Sequence, residues 1–269
     1  IKIPKTWYLT SDSVLKFMKY NNLEDIIEQK YKDIDQVRKE YPYVIHVFKN
    51  STFPPEILKG ISQALDDFDE VPLIIRSSSL LEDRLSTVFA GKYKSLFIAN
   101  QGSKEERLEQ LLDAIAEVYA STFGPDPIEY RAERGLLDYH EEMGVLIQEV
   151  VGNKIGDYFL PAFAGVAFSQ NDYRWSSRIK PEDGLLRIVP GLGTRAVDRL
   201  SNDYPILISP GQPNLQVNIT LDEIIRYSPK NLDVINLKNR QFETVSLQNL
   251  LKDHGRKYKG VDNIVSVLR

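Results

Sequence analysis

Up to about residue 140 the apolar positions recur mainly at helical spacing, whereas beyond Gly144 they fall in short, nearly continuous runs. Trp7-Tyr8-Leu9 predicts a short strand, and Thr10-Ser11-Asp12-Ser13 supplies acceptors for the free amides of a helix carrying Val14, Leu15, Phe17 and Met18. Ile26, Ile27, Tyr31, Ile34 and Val37 have the spacing of one buried stripe and predict a helix across Leu23 to Tyr41. Another is expected to open at Pro54-Pro55, because proline is tolerated in a first turn, and to run through Ile57, Leu58, Ile61 and Leu65. Val71 to Ile75 is too short for a helix and rich in β-branched residues, so it predicts a buried strand that ends at Arg76-Ser77-Ser78-Ser79. A strand over Tyr93 to Ala99 follows. Ser103-Lys104-Glu105-Glu106 is a capping box launching a helix through Leu108, Leu111, Leu112, Ile115 and Val118, and Asp126-Pro127 opens the next.

In the second half Val145 to Val151, Ala162 to Ser169, Leu185 to Val189 and Ile206 to Ser209 read as strands. Lys238-Asn239-Arg240 between Val234–Leu237 and Phe242–Val245 predicts a hairpin, and Ser246 caps a last short helix. No internal repeat or low-complexity tract is present. The change of texture places a boundary near residues 138–143, giving an α+β lobe over 1–140 and a strand-rich lobe over 141–269.

Composition narrows the function classes. Of 269 residues 42% are hydrophobic and 27% charged, which suits a globular chain and excludes collagen, coiled-coil rods and wholesale disorder. The formal charge of −4 gives no positive field for a polyanion, so nucleic acid is not an expected partner. With no cysteine there is no disulfide, thiolate nucleophile or cysteine-bound zinc, which fits a reducing, cytoplasmic setting. The most apolar stretch, Phe159 to Phe168, contains Pro161 and Gly165 and is far short of the roughly 20 residues that span a bilayer, so no membrane is expected. The start, Ile1-Lys2-Ile3-Pro4, lacks both an initiator Met and a signal-peptide pattern and reads as a point inside a longer chain.

An arginine at the end of an apolar strand must stay hydrated or meet an anion. Arg76 with Ser77 and Ser78 offers a planar guanidinium, hydroxyls and amides, the donors a phosphate needs; an internal pair with Glu82 or Asp83 is the alternative. Phe89-Ala90-Gly91-Lys92-Tyr93 is a small-residue turn beside a cation, either a loop over a polyphosphate or a hairpin turn with a solvated lysine. It is not a Walker A loop, since Ser86 and Tyr93 stand where a glycine and a Ser or Thr are needed. Gly191-Leu192-Gly193 lacks the third glycine of a dinucleotide fingerprint and taken singly is a tight turn. Gln148-Glu149-Val150-Val151 suits either a strand flanking an adenine ring or a core strand with an outward polar pair. His46, His140 and His254 have no partner spacing, and His140-Glu141-Glu142-Met143-Gly144 lacks the second histidine of a zinc-protease helix. Asp66, Asp67, Asp69 and Glu70 form a solvated acidic run without the glycine spacing of a calcium loop.

Together, Ile75-Arg76-Ser77-Ser78-Ser79-Leu80-Leu81-Glu82-Asp83 and Phe89-Ala90-Gly91-Lys92-Tyr93-Lys94-Ser95-Leu96-Phe97 resemble the signature of the ATP-binding domain of phosphoenolpyruvate synthase and pyruvate phosphate dikinase. Val145–Val151, Gly165–Ser169, Gly191–Gly193 and Pro4–Ser13 are similar to further parts of it. The resemblance implies an ATP-grasp-like, two-lobed α+β fold that uses ATP and Mg2+. It also implies phosphoryl transfer to a histidine on a swivelling domain and thence to pyruvate in a barrel domain of the same full-length chain, converting ATP, pyruvate and water to AMP, phosphoenolpyruvate and phosphate. Arg76 carries over as the catalytic phosphate clamp, expected at a strand tip facing the triphosphate. Ser77, Ser78 and Gly91, Lys92 and Tyr93 carry over as the loop over the phosphates, Gln148, Glu149, Val150 and Val151 as the adenine hinge, and Gly191 and Gly193 as the later glycine turn. Electrostatic stabilisation of the transferring group would be the main catalytic lever. The family's glycine-rich lysine segment would precede Ile1 and its acidic magnesium motif would follow Arg269, so no metal ligand is nameable and the chain reads as a fragment. Thr194 stands where the family commonly has Glu. The fifteen residues from Arg76 to Gly91 lean towards the synthase branch. A relative with another acceptor, such as a dikinase or antibiotic phosphotransferase, and a non-catalytic nucleotide sensor remain alternatives.

Overall fold

The computed structural model describes residues 3–79, 81–82, 92–139, 143–197, 203–255 and 258. Contacts divide the chain into two units, Ile1–Val150 and Val151–Arg269.

The first unit contains β1 (Thr6–Leu9), α1 (Asp12–Tyr20), α2 (Ile34–Lys49), α3 (Pro55–Phe68), β2 (Leu73–Ser79), β3 (Ser95–Ile98), α4 (Lys104–Ser121), α5 (Pro125–Glu133) and β4 (Met143–Glu149). The strands form an antiparallel sheet in the order β1-β4-β2-β3. Side chains alternate across a strand. Leu73 and Ile75 of β2 and Met143, Val145 and Ile147 of β4 therefore share one face, where they join Phe17, Phe48, Leu65, Leu111 and Ile115 in a single core. Because β4 is held between β1 and β2, the division falls after Val150 and the strand belongs to the first unit.

Three local departures have physical causes. The helix expected across Leu23–Tyr41 breaks into a 3-10 segment, Glu24–Tyr31, and α2, because Asp33 leaves helical geometry and its carboxylate accepts the Asp35 amide at 2.9 Å, an N-cap. Helix α2 then continues through Pro42. Helix α5 starts at Pro125 rather than Asp126, with the proline in the first turn, where its missing N–H costs nothing. Strand β2 does not stop at Arg76: Ser77, Ser78 and Ser79 pair with Val145, Gly144 and Met143, since β4 offers a full-length partner that outweighs the polarity of three serines. The capping box at Ser103 forms as expected, its hydroxyl accepting the Glu106 amide while the Glu106 carboxylate accepts the Ser103 amide at 2.9 Å.

The second unit contains β5 (Asn153–Ile155), β6 (Tyr158–Leu160), β7 (Phe163–Phe168), β8 (Leu185–Pro190), α6 (Thr194–Val197), β9 (Ile206–Ile208), α7 (Leu221–Tyr227), β10 (Asn231–Asn236), β11 (Gln241–Ser246) and α8 (Leu247–His254). Its sheets run β11-β10-β6-β5 and β7-β8-β9, all antiparallel. Ile155, Leu160, Leu232, Val234, Leu250 and Tyr258 form its core. The hairpin expected at Lys238–Arg240 is present, with Arg240 in the left-handed region at φ 57°. Helix and antiparallel sheet are thus mixed in both units, an α+β fold.

Candidate functional site

The helix-covered face of the first sheet is apolar; the opposite face is where chemistry is available. Register assigns it Thr6 and Tyr8 of β1, Gly144, Leu146 and Gln148 of β4, Ile74, Arg76 and Ser78 of β2, and Ser95 and Phe97 of β3. Tyr8, Leu146, Arg76 and Ser95 lie on one rung, and Gly144 and Ser78 on the next. Arg76 is exposed and sits in mid-strand, not at the strand tip expected from the sequence, because β2 runs on to Ser79. Among the described residues no ion pair or side-chain hydrogen bond occupies its guanidinium, and Glu82 instead accepts the Ser77 hydroxyl at 3.1 Å. The internal pair between Arg76 and Glu82 does not form; Asp83 lies outside the described residues.

The three serines therefore have different roles. Ser77 and Ser79 hold Glu82, the latter through the Glu82 amide at 3.3 Å, and shape the chain after β2; Ser78 shares the Arg76 face. Gly91 lies outside the described residues. Lys92 is half-buried, and Tyr93 is 5% exposed within the helix-covered core. Lys94 is committed to Glu117 at 2.7 Å.

In the segment Gln148–Val151, the Gln148 side-chain amide donates to the Thr6 hydroxyl at 2.8 Å and the Glu149 carboxylate accepts the Lys5 amide at 3.3 Å. The β4 backbone is engaged by β2 along its length and by β1 over Val145 to Gln148. The Val150 N–H is bonded to the Pro72 carbonyl at 2.8 Å, and Val151 beyond it is exposed.

Gly191 and Gly193 belong to the second unit. Gly191 has φ 72° and bridges to Asp233, and a side chain there would press on the Asp233 carbonyl, so glycine is required by the turn itself. The two residues after the turn are consumed internally. Arg195 pairs with Asp203 at 3.1 Å and Asp233 at 3.3 Å, its side chain 10% exposed and the carboxylates 4% and 6%. Asp203 also accepts the amides of Tyr204, Lys230 and Asn231, and Asp233 accepts the hydroxyls of Thr194 and Thr244. A buried network of this kind fixes the turn.

Sequence reasoning missed Tyr8, Ser95 and Phe97 on the Arg76 face; the two-residue alternation of β1 and β3 would have found them once the register was known. Among the described residues, no group of three or more His, Cys, Asp or Glu side chains could hold a metal ion. Nor is any helix there long and apolar enough to cross a membrane.

A mixed α+β chain with an exposed guanidinium that has no partner among the described residues is consistent with a nucleotide-handling domain, and comparison with known proteins gives the family. Residues 1–264 match the AMP/ATP-binding domain of pyruvate phosphate dikinase, and the chain belongs to that family. Among its relatives, phosphoenolpyruvate synthase of Aquifex aeolicus is 26% identical over 167 residues, covering 58% of this chain and 19% of the relative. Rifampicin phosphotransferase of Bacillus subtilis is 22% identical over 218 residues, covering 79% and 23%. A probable phosphoenolpyruvate synthase of Methanocaldococcus jannaschii is 22% identical over 182 residues, covering 64% and 14%. The matched region is thus a quarter or less of each relative's length.

Proposed function

We propose that this chain is the nucleotide-binding part of an ATP-dependent phosphotransferase similar to phosphoenolpyruvate synthase, acting in the cytoplasm, with an ATP-grasp-like fold. Arg76 carries the reading: in a member of an AMP/ATP-binding family, its exposed guanidinium has no acid partner among the described residues and stands beside the Ser78 hydroxyl on one sheet face. A planar guanidinium binds two phosphate oxygens at once and can neutralise charge developing during transfer. Ser77, Gly91, Lys92 and Tyr93 are placed by this reading in and behind the phosphate loop, and Gln148 to Val151 at the adenine. Gly191 and Gly193 are assigned by this reading to the later glycine turn of the family. Magnesium would accompany the triphosphate, and no described residue is assigned to it. The phosphoryl acceptor would be a histidine on a swivelling domain, with a pyruvate-binding barrel as the next partner, for the overall conversion of ATP, pyruvate and water to AMP, phosphoenolpyruvate and phosphate.

The wider coverage by the rifampicin phosphotransferase, 79% of this chain, supports a second reading with the same nucleotide chemistry and a different final acceptor.

The test is titration of ATP with Mg2+ by calorimetry. A charge-assisted phosphate contact contributes about 1.5–3 kcal/mol, so Arg76→Ala should weaken binding about 10- to 100-fold. Equal affinity of the two proteins would remove Arg76 from the site, and no ATP binding by the parent protein would overturn the reading as a whole.

A further inference from the structure

Tyr8 has an arrangement that sheet packing alone does not require. It is 52% exposed on edge strand β1, where a tyrosine is free to turn outward to water. Its ring instead lies inward across β4 at Gly144: a methyl group built on Gly144 would stand 2.9 Å from Tyr8 Cζ and closer still to the hydroxyl. Gly144 is buried although it belongs to the outer face, and the phenol covers it. Glycine inside a strand weakens the strand, and one of its uses is to leave room for something to approach the backbone closely. Here the occupant is the phenol.

The consequence is positional. Tyr8 starts on the rung of Leu146 and Arg76, and its hydroxyl ends over the rung of Gly144 and Ser78. Neighbouring strands are about 4.8 Å apart, so a hydroxyl over β4 is one strand from β2 rather than two. A guanidinium, a serine hydroxyl and a phenolic hydroxyl therefore gather on one patch of the sheet, all of them donors, and none of the strand residues that the register puts on that face is a carboxylate. Such a set suits the oxygens of a phosphate chain.

We propose that Tyr8 is a further phosphate-contacting residue of the nucleotide site, reaching Arg76 and Ser78 through the gap left at Gly144. The inference rests on the nucleotide reading above. The phenol donates its proton to a phosphate oxygen and remains neutral, and it is a binding and positioning group; no covalent step passes through it.

The test compares ATP, inorganic tripolyphosphate and adenosine as ligands of the parent chain, Arg76→Ala, Tyr8→Phe and Gly144→Ala, with thermal unfolding as a check on folding. Tyr8→Phe should weaken ATP and tripolyphosphate alike by about tenfold, the size of a hydrogen bond to a charged group, and leave adenosine unchanged. Gly144→Ala keeps the tyrosine but displaces it, because the atoms in the way are the far end of a movable side chain, and should cause a similar loss. The double variant should lose little more than either single one, since both remove the same contact. If ATP binds and responds to Arg76→Ala while Tyr8→Phe and Gly144→Ala bind as the parent does, the Tyr8 inference fails and the nucleotide reading stands. Weaker adenosine binding by Tyr8→Phe would also overturn it, by placing the ring at the base. Failure of the parent to bind ATP or tripolyphosphate would overturn both.

Discussion

Arg195→Leu isolates the network behind the glycine turn. The side chain is 10% exposed and lies between Asp203 and Asp233, carboxylates that are 4% and 6% exposed. Removing the guanidinium does not strand them equally. Asp203 keeps three backbone donors, the amides of Tyr204, Lys230 and Asn231 at 3.1, 2.9 and 3.0 Å. Among the described residues Asp233 keeps only the Thr194 and Thr244 hydroxyls. Deleting one partner of a buried pair costs about 3–5 kcal/mol, which is roughly two to three and a half orders of magnitude in the unfolding equilibrium. The substituted leucine recovers some of this by apolar burial, so the lower end is expected. Urea unfolding followed by Trp175 fluorescence in a Trp7→Phe background reads the second unit alone, since these are the two tryptophans. Adding Asp233→Asn to Arg195→Leu should recover at least half of the loss, because the amide oxygen accepts one threonine hydroxyl, its NH2 donates to the other, and the carboxylate that remains, Asp203, keeps its three backbone donors. A loss below about 1 kcal/mol, or no recovery in the double variant, would refute the argument that the network is a desolvated structural clamp.

Two further outcomes follow from buried phenols. Tyr119 is fully buried, its hydroxyl has no hydrogen-bond partner among the described residues, and burial holds its ionisation well above the usual range. Since an unsatisfied buried hydroxyl costs about 1–3 kcal/mol, Tyr119→Phe should raise stability by about 1 kcal/mol in urea unfolding, and a loss would show that an unseen partner satisfies the group. Tyr258, whose hydroxyl donates to the Ala162 carbonyl at 2.7 Å, is pushed up to about 12 chiefly by burial, against an opposing backbone hydrogen bond from Gly191. The folded state then holds its proton more tightly than the unfolded state, so stability present below pH 10 declines as pH rises towards 12, by up to about a hundredfold in the unfolding constant. Tyr258→Phe should flatten that decline, and an unchanged alkaline profile would disprove the assignment.

The sequence made several of these elements legible because their signals are local. The capping box at Ser103, the proline start of α3, the apolar run at Leu73–Ile75 and the turn at Lys238–Arg240 each depend on neighbours within a few residues. At β2 it misled because the deciding partner was distant. Three serines after Ile75 look like the end of a strand until β4, some 70 positions away in the chain, is laid beside them. The hairpin of β5 and β6 has only three residues on each side, too few for a periodic pattern, and was missed. Arg76 was identifiable by residue type, but its place in mid-strand and its neighbours were not.

By itself the sequence determined the capped start of α4, the α+β class, the absence of cysteine chemistry and the order of segments that marks an AMP/ATP-binding family, since each resides in composition or in short-range spacing, whereas α1 and α8 begin without the side-chain cap expected from Thr10–Ser13 and Ser246. Tertiary structure alone decided that Tyr8 and Gly144 join the Arg76 face, that Tyr93 turns into the core, and that Thr194 and Arg195 are consumed by Asp203 and Asp233. The reason is strand pairing: which side chains share a face depends on register between segments far apart in the chain, and a shift of one residue would exchange every one of them.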